Sequence, residues 1–229
     1  MRLAAWGLLA LLLWDLGGAD LPVMRWFGDG GGFVLRDHWL AATVLHDGGR
    51  WLARLATGIV ALNIVWPLPV LGDMPRAQRV RWFLVTLLCL LAVSSLKRWS
   101  ALSCPWSLAE FGGSAQHVSH WAAAAWRGGD GGPGQCFPGG HASGAFAFFA
   151  GALALRGRSP RAARLWLAGV WAVGAAFGAA QLVRGAHYPS HTLWTAWICW
   201  SLGAVAWHAR TRGVRFGHTA RHGQQHPSR

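Results

Sequence analysis

The chain has 229 residues, 53% of them apolar and only 13% charged, and it contains 17 tryptophans. That balance excludes an ordinary soluble globule and suits a polytopic membrane protein with aromatic belts at the two interfaces. The formal charge of +13 raises both nucleic acid and anionic lipid as partners. The arginines, however, gather in short loops between apolar runs and in the tail after Trp207, which argues against nucleic acid.

Apolar runs that approach the roughly 17 to 25 residues of a bilayer crossing occur at six places: Leu3–Ala19, Trp51–Leu71, Val80–Leu96, Gly140–Leu155, Ala163–Val183 and Ser190–Trp207. The first shares features with a secretory leader: Arg2, a leucine-rich centre and a Gly17-Gly18-Ala19 end. We read it as a retained span, because five spans leave the termini on sides that the charges do not favour. After it, "FVLRDHWLAATVL" from Phe33 reads as a short helix lying in the interface.

Arginine placement sets the orientation. The segment before the third run carries Arg76, Arg79 and Arg81, and the one between the fourth and fifth carries Arg156, Arg158, Arg161 and Arg164. The tail adds five more and no acid. Six spans put these three segments on one side, which the positive-inside rule makes cytoplasmic. The expectation is therefore an all-α bundle of about six transmembrane helices, a single membrane-embedded domain over residues 1–208. Residues 209–229 are polar and aperiodic and read as a basic, disordered cytoplasmic tail.

Three segments remain for the opposite, periplasmic face: residues 20–50, the loop from Lys97 to Phe137, and the turn Arg184–Pro189. Lys97 is the single lysine beside twenty arginines. Taken singly, Lys97 and Arg184 read as interfacial anchors, and His141 and His187 as helix-cap histidines. Together they say more. Pro138-Gly139-Gly140-His141 opens the fourth run with free N–H groups and the positive end of a helix, a place for an anion. Lys97 and Arg184 add fixed positive charge, and two histidines offer a nucleophile and a general acid. No Asp or Glu follows Asp130, which argues against paired-carboxylate and carboxylate-rich two-metal chemistry in that half.

The order and spacing resemble the type-2 phosphatidic acid phosphatases, integral membrane lipid phosphatases. That family's pattern is Lys, six residues, Arg-Pro; then Pro-Ser-Gly-His; then Ser-Arg, five residues, His, three residues, Asp. Here the chain has Lys97, six residues, Cys104-Pro105; then Pro138-Gly139-Gly140-His141; then Ala180-Gln181, five residues, His187, three residues, His191. The resemblance covers about Lys97 to Trp207. It implies six spans with a periplasmic site, His187 as nucleophile, His141 as general acid and His191 as the partner that orients His187. Lys97, Arg184, Gly139 and Gly140 would hold the phosphate, with no metal and no cofactor. Four positions depart: Cys104 and Gln181 stand in place of arginine, Gly139 in place of serine, and His191 in place of aspartate. Arg184 is placed to cover the loss at 181, whereas a neutral His191 accepts the same hydrogen bond as a carboxylate but brings no charge.

Two histidines four apart suit zinc when both lie on one helical face, but Pro189 between them puts His187 before the last helix and His191 inside it. Cys104 and Cys136 lie in the same non-cytoplasmic loop and are a candidate disulfide in an oxidising periplasm. The expected activity is hydrolysis of a lipid phosphate or diphosphate at the outer face of a bacterial inner membrane. The alternatives are a lipid-to-lipid phosphotransferase using the same histidines, a non-catalytic protein of the same fold, and an intramembrane protease built on Ser143.

Overall fold

Each of the six apolar runs is built on helix in the computed structural model, which describes residues 2–69, 74–122 and 127–218, with backbone alone over 210–218. The order is α1 (Arg2–Leu16), α2 (Asp20–Met24), a hairpin of β1 (Gly28–Asp29) and β2 (Gly32–Phe33), then α3 (Gly49–Leu62) and α4 (Arg76–Trp99). After a long loop follow α5 (Gly140–Phe146), α6 (Phe149–Leu155), α7 (Pro160–Val183) and α8 (Pro189–His218). Two of these, α4 and α7, are 24 residues each and apolar enough to cross a membrane. At 1.5 Å per residue each is about 36 Å long.

Local chemistry explains where the helices begin. In α7 the Ser159 hydroxyl accepts from the Ala162 N–H at 3.2 Å and Pro160 takes the first turn, the usual pairing of side-chain cap and proline. α8 also opens on proline, but its cap comes from elsewhere in the chain. Asp20 accepts from the Ser190 N–H at 3.0 Å and from the Ser190 hydroxyl. The fourth apolar run is broken at Ala147 and Phe148, where the indole of Trp166 donates to the Phe148 carbonyl at 2.8 Å.

Helix ends with arginine meet at one pole. Gln78 donates to the Ala154 carbonyl at 2.8 Å, and Arg81 donates to the Ala206 carbonyl at 3.0 Å while stacking over Trp207. Thus the start of α4, the end of α6 and the later part of α8 share that pole. The core between the poles holds Trp82, Cys89, Val93, Phe146, Phe149 and Cys199. Close packing there uses glycines under rings. A Cβ at Gly174 would stand 2.2 Å from the Phe146 ring, and one at Gly151 would stand 2.4 Å from Trp166. Leucines and tryptophans such as Leu13, Trp51, Leu55, Leu91 and Leu165 point outward and are exposed.

The opposite pole is closed by a second cluster, Met24, Phe33, Leu108, Phe111 and Tyr188. Gly185 is required there, having φ +71° with the Phe33 ring 2.2 Å from where a Cβ would sit. A disulfide joins Cys104 to Cys136. Asp130 folds the loop between them by accepting from the Ser103 N–H, the Ser103 hydroxyl and the Gly132 N–H at 2.6–3.1 Å.

Two boundaries differ from the sequence expectation. The second run stops at Leu62 rather than Leu71, of which residues 70–71 lie outside the described part. Pro67 and Pro69 cannot continue a helix, and the Asn63 side chain takes the Leu68 N–H at 3.1 Å. The helix is extended instead at its start: of the segment Phe33–Leu45, expected to form a separate interfacial helix, the part from Leu40 forms π-helical turns that continue to Gly48 and run straight into α3. The last helix continues to His218, ten residues into the segment expected to be disordered. No proline interrupts it after Pro189, and its alanines and arginines favour helix. Residues 219–229 lie outside the described part.

The glycine contacts make a paired test. Gly174→Ala forces a methyl into the Phe146 ring and should cost about 1–3 kcal/mol, read as a lower thermal midpoint in detergent. Gly169→Ala, whose Cβ meets nothing within 4 Å, should not lower it.

Candidate active site

The pole opposite the Gln78 and Arg81 contacts is organised around the backbone of Gly139. Its N–H donates to the His191 carbonyl at 3.0 Å, and its own carbonyl accepts from the Thr195 hydroxyl at 3.0 Å. A Cβ at 139 would sit 3.1 Å from that His191 carbonyl, so the missing side chain is what lets the start of α5 lie against the first turn of α8. This corrects one expectation. The Gly139 amide is already bonded and is not a free donor; the open amides of α5 begin at Gly140. A Cβ on Gly140 would press the Lys97 stem at 3.0 Å.

A cavity of about 280 Å³ opens beside this junction, lined by Lys97, His141, Gln181 and His187 together with His46 and Arg50. The expected residues Lys97, His141 and His187 are therefore brought together from α4, α5 and the turn before α8. The Nε2 of His141 lies 2.9 Å from the Leu45 carbonyl. A carbonyl only accepts, so this nitrogen carries a proton and Nδ1 is left to exchange protons in the cavity. Phe177 and His46 flank the ring, with centroids 4.5 and 4.9 Å away.

His187 is buried, and its Nδ1 lies 3.4 Å from the Nδ1 of His191, itself 1% exposed. A proton on either nitrogen makes this a hydrogen bond, and the Cys136 backbone bonds to both rings as well. With Nδ1 of His187 occupied in this way, its Nε2 is the nitrogen left to act as a nucleophile. Burial first, and then the Lys97 ammonium, holds the His187 ring well below the usual histidine range, because both disfavour the imidazolium. The ring is therefore neutral at pH 7.

Arg184 is placed differently from the expectation. It does not line the cavity; its Nε donates to the Arg36 carbonyl at 2.7 Å and its guanidinium stands 5.9 Å from the Trp106 ring, which Arg36 covers at 4.7 Å. Its buried Nη1 has no hydrogen-bond partner. Gln181, in the position where the resembling family has arginine, does line the cavity, and its buried Nε2 likewise lacks a partner. Unpartnered buried donors of this kind are costly unless a ligand takes them.

Two lining residues, His46 and Arg50, were missed by sequence reasoning. The signal was present in "HDGGR" just before the second apolar run, where a histidine and an arginine four apart share one helical face on the side assigned to the site. Among the described residues, Cys104, Cys136 and His187 also bring potential metal-ligand atoms within 4.8 Å of one another. The two sulfurs are joined as a disulfide, and zinc binds the thiolate form.

A family model described as the PAP2 superfamily matches residues 79–215. No curated protein matches the chain, and no solved structure does.

The cavity makes a direct demand on Arg50. Arg50→Ala should weaken competitive inhibition by orthovanadate about 10-fold, the scale of one charge-assisted hydrogen bond. Arg50→Lys should recover part of it, both read as Ki in detergent.

Proposed function

The chain belongs to the PAP2 superfamily, and on that premise we propose that it is an integral membrane phosphatase hydrolysing a lipid phosphate or diphosphate through a phosphohistidine, without metal. Members of the superfamily are phosphatases acting on phosphate esters. The observation that carries the finer reading is the single cavity in which Lys97, Arg50, His141 and His187 meet the unpartnered amide of Gln181.

In this reading the Nε2 of neutral His187 attacks phosphorus in line with the leaving oxygen. His141, which takes up a proton at Nδ1 beside the bound phosphate anion, gives that proton to the leaving oxygen. Lys97 and Arg50, with the Gln181 amide and the first open amides of α5, hold the equatorial oxygens as charge moves across them. The neutral His141 then takes a proton from water, which attacks phosphorus and releases His187. The side chains supply the cationic charge that a metal would otherwise bring.

A lipid substrate is favoured by what adjoins the cavity. Beyond Phe177, which packs on the His141 ring, lies an almost wholly apolar groove of about 280 Å³ lined by Leu52, Ala53, Ala56, Gly144, Phe148 and Val173. A phosphate in the polar cavity would leave a hydrocarbon chain beside this groove. Six helical runs with exposed apolar outer faces support insertion in a bilayer. The arginine pole is then cytoplasmic. The Cys104–Cys136 disulfide at the other pole fits the oxidising periplasm of a bacterial inner-membrane protein.

Purified protein in detergent should release phosphate from lipid phosphates in the presence of EDTA. His187→Ala should abolish release by roughly 10³-fold or more. Loss of release with EDTA in the unsubstituted protein would overturn the metal-free mechanism. The acid limb of kcat/KM should fall below pH 6.5, since the active form of His187 is neutral and burial lowers its pKa; a limb above 6.5 would contradict that assignment.

Filling the groove separates tail from headgroup. Gly169 lines it with open space around its Cβ position, so Gly169→Phe should raise KM for a long-chain lipid phosphate several-fold. Turnover of a short, water-soluble phosphate ester should hardly change. Equal effects on both would count against the groove as the tail site.

A further inference from the structure

Behind the two histidines lies a second cavity, of about 170 Å³, walled by His191 on one side and by Asp15, Asp20, His117 and His120 on the others. His187 lines the first cavity and His191 the second, and the Nδ1–Nδ1 contact at 3.4 Å is the partition between them. His191 thus turns Nδ1 to His187 while its ring borders the far cavity.

Asp15 is unusual there. Its side chain is 3% exposed although it lies in the long apolar helix α1. Its Oδ2 accepts from the Trp194 and Trp121 indoles at 3.0 and 3.2 Å and pairs with His120 Nε2 at 3.0 Å. Its Oδ1 is buried with no hydrogen-bond partner. Asp15 stands in the last turn of α1, and a buried carboxylate left half-satisfied beside a polar cavity is placed for a mobile proton donor. A cavity of this size holds several waters at about 30 Å³ each. Asp20, by contrast, has both oxygens engaged, by Trp14 and by the cap of α8.

We propose that Asp15 is a positioning residue that supplies, through the second cavity and His191, the negative charge that position 191 itself lacks. This rests on His187 being the nucleophile. When Nε2 of His187 bonds to phosphorus and the bond to the leaving oxygen breaks, the ring becomes cationic. Its Nδ1 proton passes to Nδ1 of His191, the Nε2 proton of His191 passes to water in the cavity, and a proton from that water reaches Asp15. The transfers run in reverse as water attacks, returning the Nδ1 proton while the P–N bond breaks, so His187 leaves as neutral imidazole and no proton is gained or lost over the cycle.

The test is a cycle of Asp15→Asn and His191→Asp, measured as phosphate release from a lipid phosphate in EDTA. Asn keeps an acceptor for the indoles but removes the charge. In the native background Asp15→Asn should lower kcat at least 10-fold with KM within 2-fold. In the His191→Asp background, where a carboxylate touches His187 directly, the same change should cost less than 2-fold. Equal losses in both backgrounds would make Asp15 merely structural and overturn the relay. No loss in the native background, or an inactive His191→Asp whose thermal midpoint is unchanged, would overturn it also. If His191→Asp itself loses its midpoint, Asp15→Glu decides: a kcat no better than that of Asp15→Asn overturns the relay. Failure of the native protein to release phosphate would instead overturn the phosphatase reading, and the relay with it.

Discussion

The contact between Gly139 and the first turn of α8 governs the geometry of the whole pole. Two hydrogen bonds, from the Gly139 N–H to the His191 carbonyl and from the Thr195 hydroxyl to the Gly139 carbonyl, join the start of one helix to the start of another. His141 lies two residues beyond one partner, while His187 lies four before the other. A tie made on the Gly139 backbone needs no side chain there, and a Cβ would press the His191 carbonyl at 3.1 Å, so it holds the two histidines at a fixed spacing. The Asp20 cap on Ser190 secures the same turn from the outside.

Around that tie the site is assembled from elements that are weak alone. The loop between α4 and α5 has little regular structure, and its shape comes from the disulfide and from Asp130. The Leu40–Gly48 turns are π-helical, a geometry that is rare and often found at functional sites. They end where Gly49 passes under Phe177 and His141, at 2.7 and 3.1 Å from its Cβ position. Small residues thus bring three helices close enough for their polar side chains to share one cavity inside an otherwise apolar body.

Much of this was legible in the sequence, for identifiable reasons. Hydropathy located the six helical runs because an apolar run needs no partner to announce itself. Lys97, His141 and His187 were legible because their spacing is a motif. What escaped depended on contacts across the chain. Nothing near Gly139 shows that its amide is spent on residue 191, and nothing near Arg184 shows that Arg36 holds its Nε. His46 and Arg50 lay in a segment whose register was set by π-helical turns rather than by the 3.6-residue period. The reach of α8 to His218 was hidden by polarity, which argues against burial but not against helix.

The PAP2 match begins at residue 79, yet α1, α2 and α3 all lie before it. From them and the turns that lead into α3 come His46 and Arg50 in the first cavity and Asp15 and Asp20 in the second. The recognisable segment is therefore not a self-sufficient module. Transplanted onto another protein's leading helices, it would carry its motif histidines into a pocket lacking His46 and Arg50 and without the two carboxylates that line the cavity beside His191. In this chain both cavities are completed by a region outside the matched segment, so a change in either part alters the lining of the same two spaces.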